Sequence, residues 1–206
     1  RSISDAEKLF LNGADKIAVN SAAVRNSSLI NDLVKNFGSQ AVVVSIQAKK
    51  INDNWKVYLD SGRENSEKDV NEWLKEAVDR GAGEILITSV DNDGTKKGFD
   101  LELYNNVKNI CNVPLILSGG MGEPEDLLKL KKFNQSDAVA VWQLYRRSPV
   151  CHFGADVHPV AGRNLRSHPY VFCLGRGNHR GQYTGTVIYV CVNDCRYLWL
   201  YCIGRL

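Results

Sequence analysis

The chain has 206 residues, of which 44% are hydrophobic and 24% are charged, and its formal net charge is +3. This composition is that of an ordinary soluble protein with enough length for one sizeable core, and so small a net charge indicates at most a weak general affinity for polyanions. The charge is unevenly divided, because residues 142–206 hold eight arginines but neither lysine nor glutamate. We therefore expect two regions of different origin, residues 1–141 and residues 142–206.

Cysteine content and apolar runs indicate the cellular compartment of the protein. Residues 1–141 contain one cysteine, Cys111, which fits a reducing compartment, and no leader pattern opens the chain. The most apolar later stretch, residues 186–203, is interrupted by polar residues and makes a poor membrane span. We expect a cytoplasmic protein without membrane or nucleic-acid partners. The only methionine is Met121, so we also expect an incomplete sequence.

Apolar β-branched runs alternate with helical periods along residues 1–141. Helices are predicted where apolar residues recur three and four positions apart, with Gly13, Gly38 and Gly81 as stop signals. In chain order, the predicted elements are helix 3–10, strand 16–20, helix 29–37, strand 41–48, a hairpin in 49–65, helix 70–78, strand 84–89, helix 100–110, strand 114–117, helix 123–133 and strand 138–141.

This alternation is typical of an α/β protein with βα units around a parallel sheet. Five such strands are too few to close a (β/α)8 TIM barrel, so we expect a partial barrel. The alternation stops after Trp142, and the composition that follows resembles translation in a wrong reading frame or an unrelated fusion. We expect a poorly ordered tail over 142–206, with candidate strands at 187–192 and 197–203.

Active sites of TIM barrels lie at the C-terminal ends of the strands, where this sequence has small and polar residues. Backbone N–H groups at glycines approach a phosphate closely, and hydroxyl and amide groups add donors. The candidate residues are Asn20, Ser21, Gln47, Thr88, Asp93, Gly94, Ser118, Gly119 and Gly120. The alternative is that the SGG and DNDGT segments are only turns and caps, with Asp93 a turn-forming residue.

Four segments carry a resemblance to a known family: GADKIAVNSAAV, FGSQAVVVSIQAKK, RGAGEILITSVDNDGTKKGFD and VPLILSGGMG. In order, they resemble the cyclase subunit of imidazole glycerol phosphate synthase. The match covers residues 1–141 and implies about strands 4 to 8 of its barrel, with the first strands missing. The resemblance also implies histidine biosynthesis, ammonia from a separate glutaminase subunit, a phosphorylated small-molecule substrate and no cofactor.

The resemblance implies a role for each candidate residue. Asn20 and Ser21 match half of one phosphate site. The matches to half of a second phosphate site are Ser118, Gly119 and Gly120, and those to positions facing the substrate are Thr88, Asp93 and Gly94. At the opposite end of the barrel, Lys16 and Glu84 match a charged gate for ammonia, for which a surface ion pair is the alternative. The matches near the glutaminase interface are Asp15 and Gln40.

Gln47 departs from the family. It occupies the position of the aspartate that serves as general acid, and an amide has no titratable proton near neutral pH. We therefore expect this chain to be inactive as a cyclase. The departure favours a second hypothesis, a paralogous barrel that conducts ammonia to a sugar amidotransferase in bacterial surface-polysaccharide synthesis.

A third hypothesis concerns the tail, which contains suitable residue types for a metal-binding or nucleic-acid-binding module. The candidate ligands are Cys191, Cys195, His152, His158, His168 and His179. Their spacing provides no paired C-x2-C motif and no short histidine pair, so we expect no structural zinc site.

Overall fold

A computed structural model describes residues 2–123, 126, 129, 138–140, 186–190 and 199–205. The strands in these residues are β1 (Ile17–Val19), β2 (Val42–Ile51), β3 (Asn54–Leu59), β4 (Glu64–Asp69), β5 (Glu84–Ser89), β6 (Leu115–Ser118), β7 (Ala138–Ala140), β8 (Thr186–Val190) and β9 (Trp199–Arg205). The helices are α1 (Ile3–Leu11), α2 (Ser21–Arg25), α3 (Ser28–Phe37), α4 (Val70–Asp79) and α5 (Leu101–Val107).

The strands β1, β2, β5, β6 and β7 are hydrogen-bonded in parallel, in that order. Helices occupy the crossovers between the first four of them, as expected for parallel strands. The predicted α/β class and partial barrel are therefore confirmed. In addition, β9 pairs antiparallel with β7 and β8, and β8 pairs parallel with β1, so that these strands form a closed ring.

The two candidate strands of the tail are found as β8 and β9. The rest of residues 142–206, including the predicted boundary and the candidate metal ligands, lies outside the described residues. Of the predicted helix 123–133, only Asp126 and Lys129 are described as helical. The short α2 was not predicted, because five residues are too few to display a helical period.

Local sequence explains where α1, α4 and α5 begin. The side chain of Ser2 accepts the N–H of Asp5, and the Asp5 carboxylate accepts the N–H of Ser2, which forms a capping box for α1. The carboxylate of Asp69 caps α4, and that of Asp100 caps α5. These capped helices then pack on the sheet through their apolar faces.

Side chains of the parallel strands alternate between two faces of the sheet. On one face, strand residues pack with Trp73 and Leu74 of α4 in a core whose members are almost completely buried. Those strand residues are Val44, Ile46, Ile85, Ile87, Leu115 and Leu117. The intervening residues of each strand therefore point to the opposite face, toward the interior of the ring.

The strand β2 continues beyond the barrel and forms an antiparallel hairpin with β3, which in turn pairs with β4. The predicted hairpin is thereby confirmed, and a third antiparallel strand, β4, extends it to Asp69. The strand β4 lies at the end of the strand order, and its pairing with β3 is irregular between Lys56 and Tyr58. Charged residues and irregular pairing protect such an edge from pairing with other chains.

Candidate active site

Parallel register places three polar residues side by side at the C-terminal ends of β2, β5 and β6. Gln47 is in register with Thr88, and Thr88 is in register with Ser118. We call these three residues the strand-end row. The residues that precede them, Ile46, Ile87 and Leu117, belong to the core under the helices. Because side chains alternate along a strand, the three residues of the row point to the interior of the barrel. The row therefore forms a polar layer at the open end of the barrel.

Asn20 and Ser21 follow β1 at the same end of the barrel, and they are 1% and 0% exposed. Neither the oxygen nor the nitrogen of the Asn20 side-chain amide has a hydrogen-bond partner in the part of the chain that the structure describes. Leaving one buried polar group unsatisfied costs about 1–3 kcal/mol. An amide buried at such a cost requires partners that are not among the described residues, such as a ligand or ordered water.

The side chain of Gln47 is already engaged. Its Oε1 atom accepts the N–H of Gly62 at 3.0 Å, and Gly62 lies in the turn between β3 and β4. In the same turn, the N–H of Asp60 donates to Oγ of Ser21 at 3.0 Å. Asp60 and Gly62 were not predicted as site residues, although they lie within the hairpin predicted over residues 49–65.

The loop after β5 contains Asp93 and Gly94 and is stiffened by its own hydrogen bonds. The side-chain nitrogen of Asn92, Nδ2, donates to the carbonyl oxygen of Gly98 at 3.1 Å. The N–H of Gly98 donates to the carbonyl of Gly120 at 2.8 Å, which joins this loop to the one after β6. Asn92 and Gly98 were also not predicted, since their roles depend on a contact between two loops.

The glycines after β6 are required by close packing against that loop. A Cβ atom on Gly119 would lie 2.8 Å from the carbonyl oxygen of Ser89, and one on Gly120 would lie 2.1 Å from that of Gly98. Both glycines have positive φ angles, +94° and +92°, which other residues rarely adopt. This packing accounts for the two glycines without a ligand and leaves phosphate binding by them as a prediction.

The carboxyl group of Asp93 has a raised pKa. Burial by surrounding atoms raises the pKa of its carboxyl group, and a hydrogen bond from the N–H of Gly94 opposes the change. By accessible surface, however, the residue is exposed, so solvent weakens this effect. Its backbone lies against the loop after β6, with Cα 3.6 Å from a Cβ built on Gly119.

At the N-terminal end of the barrel, Lys16 and Glu84 form an ion pair in which both side chains are mostly buried. The second carboxylate oxygen of Glu84 is buried and has no partner among the described residues. The structure thus brings together the two residues predicted for the ammonia gate, though a gate and a plain ion pair share this geometry. Asp15 and Gln40 precede β1 and β2 at this end and are exposed.

The described residues contain neither a candidate metal site nor a candidate membrane span. No group of three or more histidine, cysteine, aspartate or glutamate residues within them is placed to hold a metal ion. Within the same residues, no helix has both the length and the apolar character needed to cross a membrane.

Comparison with known proteins identifies the relatives of this chain. The family model described as histidine biosynthesis protein matches residues 1–148, which extends past the predicted boundary at 141. A protein of Legionella pneumophila named imidazole glycerol phosphate synthase subunit HisF is 50% identical over 135 residues, 65% of this chain and 61% of the relative.

Two further relatives with the same name differ in the length over which they align with this chain. That of Helicobacter hepaticus is 53% identical over 127 residues, 61% of this chain and 50% of the relative. That of Exiguobacterium sibiricum is 49% identical over 166 residues, 81% of this chain and 67% of the relative. The chain thus spans about half to two thirds of the length of these relatives.

The packing of the two loops predicts how glycine substitutions affect stability. We expect Gly120→Ala to lower the free energy of unfolding by about 3 kcal/mol or more, because the new Cβ meets backbone and the φ angle is left-handed. Gly94→Ala is the matched control, since its φ is +73° but nothing lies within 4 Å. It should cost only about 1–2 kcal/mol. Equal losses in urea unfolding would contradict the loop contact.

The environment of Asp93 predicts a pH dependence. Since burial raises its pKa in the folded state, ionisation of Asp93 opposes folding above that pKa, and the penalty disappears as the pH falls below the ordinary value of about 3.9. Asp93→Asn should therefore raise the free energy of unfolding at neutral pH but not in acid. Carboxyl ¹³C titration of folded and urea-unfolded protein measures the pKa directly. A folded value at or below the unfolded value would contradict this account.

Proposed function

The chain belongs to the histidine biosynthesis protein family, and from this membership we propose that it is part of a cyclase subunit of imidazole glycerol phosphate synthase. In the proposed reaction, ammonia from a glutaminase subunit cyclises a phosphorylated aminoimidazole-carboxamide ribonucleotide and releases imidazole glycerol phosphate. The relatives of about 50% identity support the assignment. So does the position of the candidate residues at the strand ends, where barrels of this type bind substrate.

The observation that carries the proposal is the buried amide of Asn20, which has no partner among the described residues and lies beside the hydroxyl group of Ser21. The amide offers two N–H donors and the hydroxyl group offers one, and phosphate oxygens accept such bonds strongly. We assign these two residues to one phosphate group of the substrate. Ser118, Gly119 and Gly120 are assigned to the other phosphate, at the far end of the strand-end row.

The interior of the barrel supports passage of ammonia from one end to the other. Lys16 and Glu84 lie at the N-terminal end, and the polar strand-end row lies at the C-terminal end. Between these levels, Ser45, Leu86 and Ile116 are in register and face inward. An interior without charged groups at this level favours neutral ammonia over the ammonium ion, because burial of an unpaired charge is costly. We assign Lys16 and Glu84 to the entry point, and Asp15 and Gln40 to the contact with the glutaminase.

The chemistry of position 47 limits what this chain catalyses. An aspartate or glutamate there donates and accepts protons, whereas the amide of Gln47 does neither near neutral pH. Loss of one positioned acid or base typically lowers the rate by about 10²–10⁴-fold. Asp93 has a raised pKa and faces the same end of the barrel, but it is on the loop after β5 and does not replace a group on β2.

The presence of an amide instead of an acid at position 47 also favours a second candidate function. A barrel that only conducts ammonia to a sugar amidotransferase needs the interior and the glutaminase contact but no acid at position 47. Such a protein would stimulate a bound glutaminase without cyclising the ribonucleotide. The two candidates therefore differ in one measurable activity.

A chimera tests the proposed function. Residues 1–141 replace the matching segment of the Legionella pneumophila relative, and cyclisation is measured with an ammonium salt so that no glutaminase is required. We expect the chimera with Gln47→Asp to cyclise the substrate, and the chimera with Gln47 to be about 10²–10⁴-fold slower. Gln47→Asn is the matched control, because it has the shape of aspartate but no titratable proton.

Three outcomes decide between the candidates. If the Gln47 chimera is as fast as the Asp chimera, position 47 is not the acid and that assignment is wrong. If the Asn chimera is as fast as the Asp chimera, side-chain size rather than proton transfer matters. If no variant cyclises the substrate but all stimulate a bound glutaminase, the conduit is the correct function.

A further inference from the structure

The turn between β3 and β4, residues 60–63, crosses the open end of the barrel, and we call it the strap. Two side chains from neighbouring strand ends hold it by its backbone. Ser21 Oγ accepts the N–H of Asp60, and Gln47 Oε1 accepts the N–H of Gly62, each at 3.0 Å. These two hydrogen bonds join the strap to the residue after β1 and to the end of β2.

Further contacts extend the strap toward β5 and α2. A Cβ built on Gly62 would lie 3.0 Å from Cγ1 of Val90, so the strap passes directly over the end of β5. Arg25 pairs with Asp60 at 2.5 Å and with Glu64 at 2.9 Å. The Arg25 side chain is half exposed, and exposed ion pairs contribute only about 0–1 kcal/mol. The two hydrogen bonds from the barrel are the more specific restraint.

The backbone of the strap is strained. Its first three residues, Asp60, Ser61 and Gly62, have φ angles of 50°, 61° and 79°. The left-handed conformation costs about 1–2 kcal/mol for each residue other than glycine. A strained segment persists only where its surroundings fix it, and such segments concentrate at functional sites. The hydrogen bonds to Ser21 and Gln47 provide that restraint here.

The strap also determines which atoms of Gln47 remain for a ligand. The N–H of Gly62 requires an acceptor, so the oxygen of the Gln47 amide faces the strap and the NH₂ group points away from it. In the described part of the chain, no acceptor is hydrogen-bonded to this NH₂ group or to the hydroxyl proton of Ser21. The oxygen atom of each side chain therefore accepts a hydrogen bond from the strap, and the N–H or O–H groups of the same side chain can donate to a ligand.

We propose that Gln47 is a positioning residue for the strap and a ligand-binding residue at once, presenting only its NH₂ group to an oxyanion bound at the mouth of the barrel. The inference rests on the proposed function in placing a phosphorylated ligand at this end. A glutamate at position 47 would still accept the N–H of Gly62 but would offer the ligand a negative charge instead of a donor. The residue therefore selects for anionic ligands in a way that a carboxylate does not.

Two variants of the full 206-residue chain separate the two roles. Gln47→Met retains side-chain length but removes both the acceptor and the donor. Gln47→Glu retains the acceptor and removes the donor. Amide hydrogen exchange of Gly62 reports on the strap, with the amide of Leu86 in β5 as the internal reference for folding. Calorimetric titration with inorganic sulfate, which keeps its charge across neutral pH, reports on anion binding.

Hydrogen exchange without sulfate tests the strap. We expect the Gly62 amide to exchange about tenfold faster or more in Gln47→Met than in the wild type, and to remain protected in Gln47→Glu, with Leu86 unchanged in both. The expected acceleration corresponds to loss of one hydrogen bond of about 1.4 kcal/mol. Unchanged exchange of Gly62 in Gln47→Met would overturn the strap, whatever the binding results are.

Sulfate titration tests the donor. Both variants should bind sulfate about tenfold more weakly than the wild type or worse, because a hydrogen bond to a charged group is lost. Equal affinity of wild type and Gln47→Glu would overturn the donor role while leaving the strap intact. Failure of the wild type to bind sulfate would contradict both the donor role and the anion site of the proposed function.

Discussion

The parallel register among β2, β5 and β6 is the constraint on which the candidate site depends. It places Gln47, Thr88 and Ser118 in one row, with their neighbours in the core beneath the helices. A shift of one residue in any of these strands would bury a polar side chain under a helix and place an apolar one at the mouth. Burial of residues such as Ile46 and Ile87 therefore fixes the position of the polar groups.

Backbone contacts, rather than ion pairs, arrange the segments around this row. Gly120 touches the carbonyl of Gly98, so the loops after β5 and β6 form one packed unit. On the other side, the strap is held by hydrogen bonds to Ser21 and Gln47. The open end is thereby bordered by two restrained segments.

Periodicity predicted most of the fold, because five apolar strands and capped helices leave a clear pattern in residues 1–141. It missed α2, which is too short to show a period, and it could not predict the pairing of β8 and β9 with strands far away in sequence. The strand-end residues were predicted from their positions alone. The bond between Gln47 and Gly62 was not, because it joins residues of different elements through a turn whose shape the sequence does not specify.

We propose that the buried amide of Asn20 serves a ligand and not the fold. Urea unfolding of the wild type and of Asn20→Leu, with and without inorganic phosphate, tests it most directly. Without phosphate, Asn20→Leu should be at least as stable, since it removes a buried amide whose unmet hydrogen bonds cost about 1–3 kcal/mol. Phosphate should then stabilise only the wild type. A less stable variant without phosphate, or equal stabilisation of both proteins by phosphate, would contradict the account.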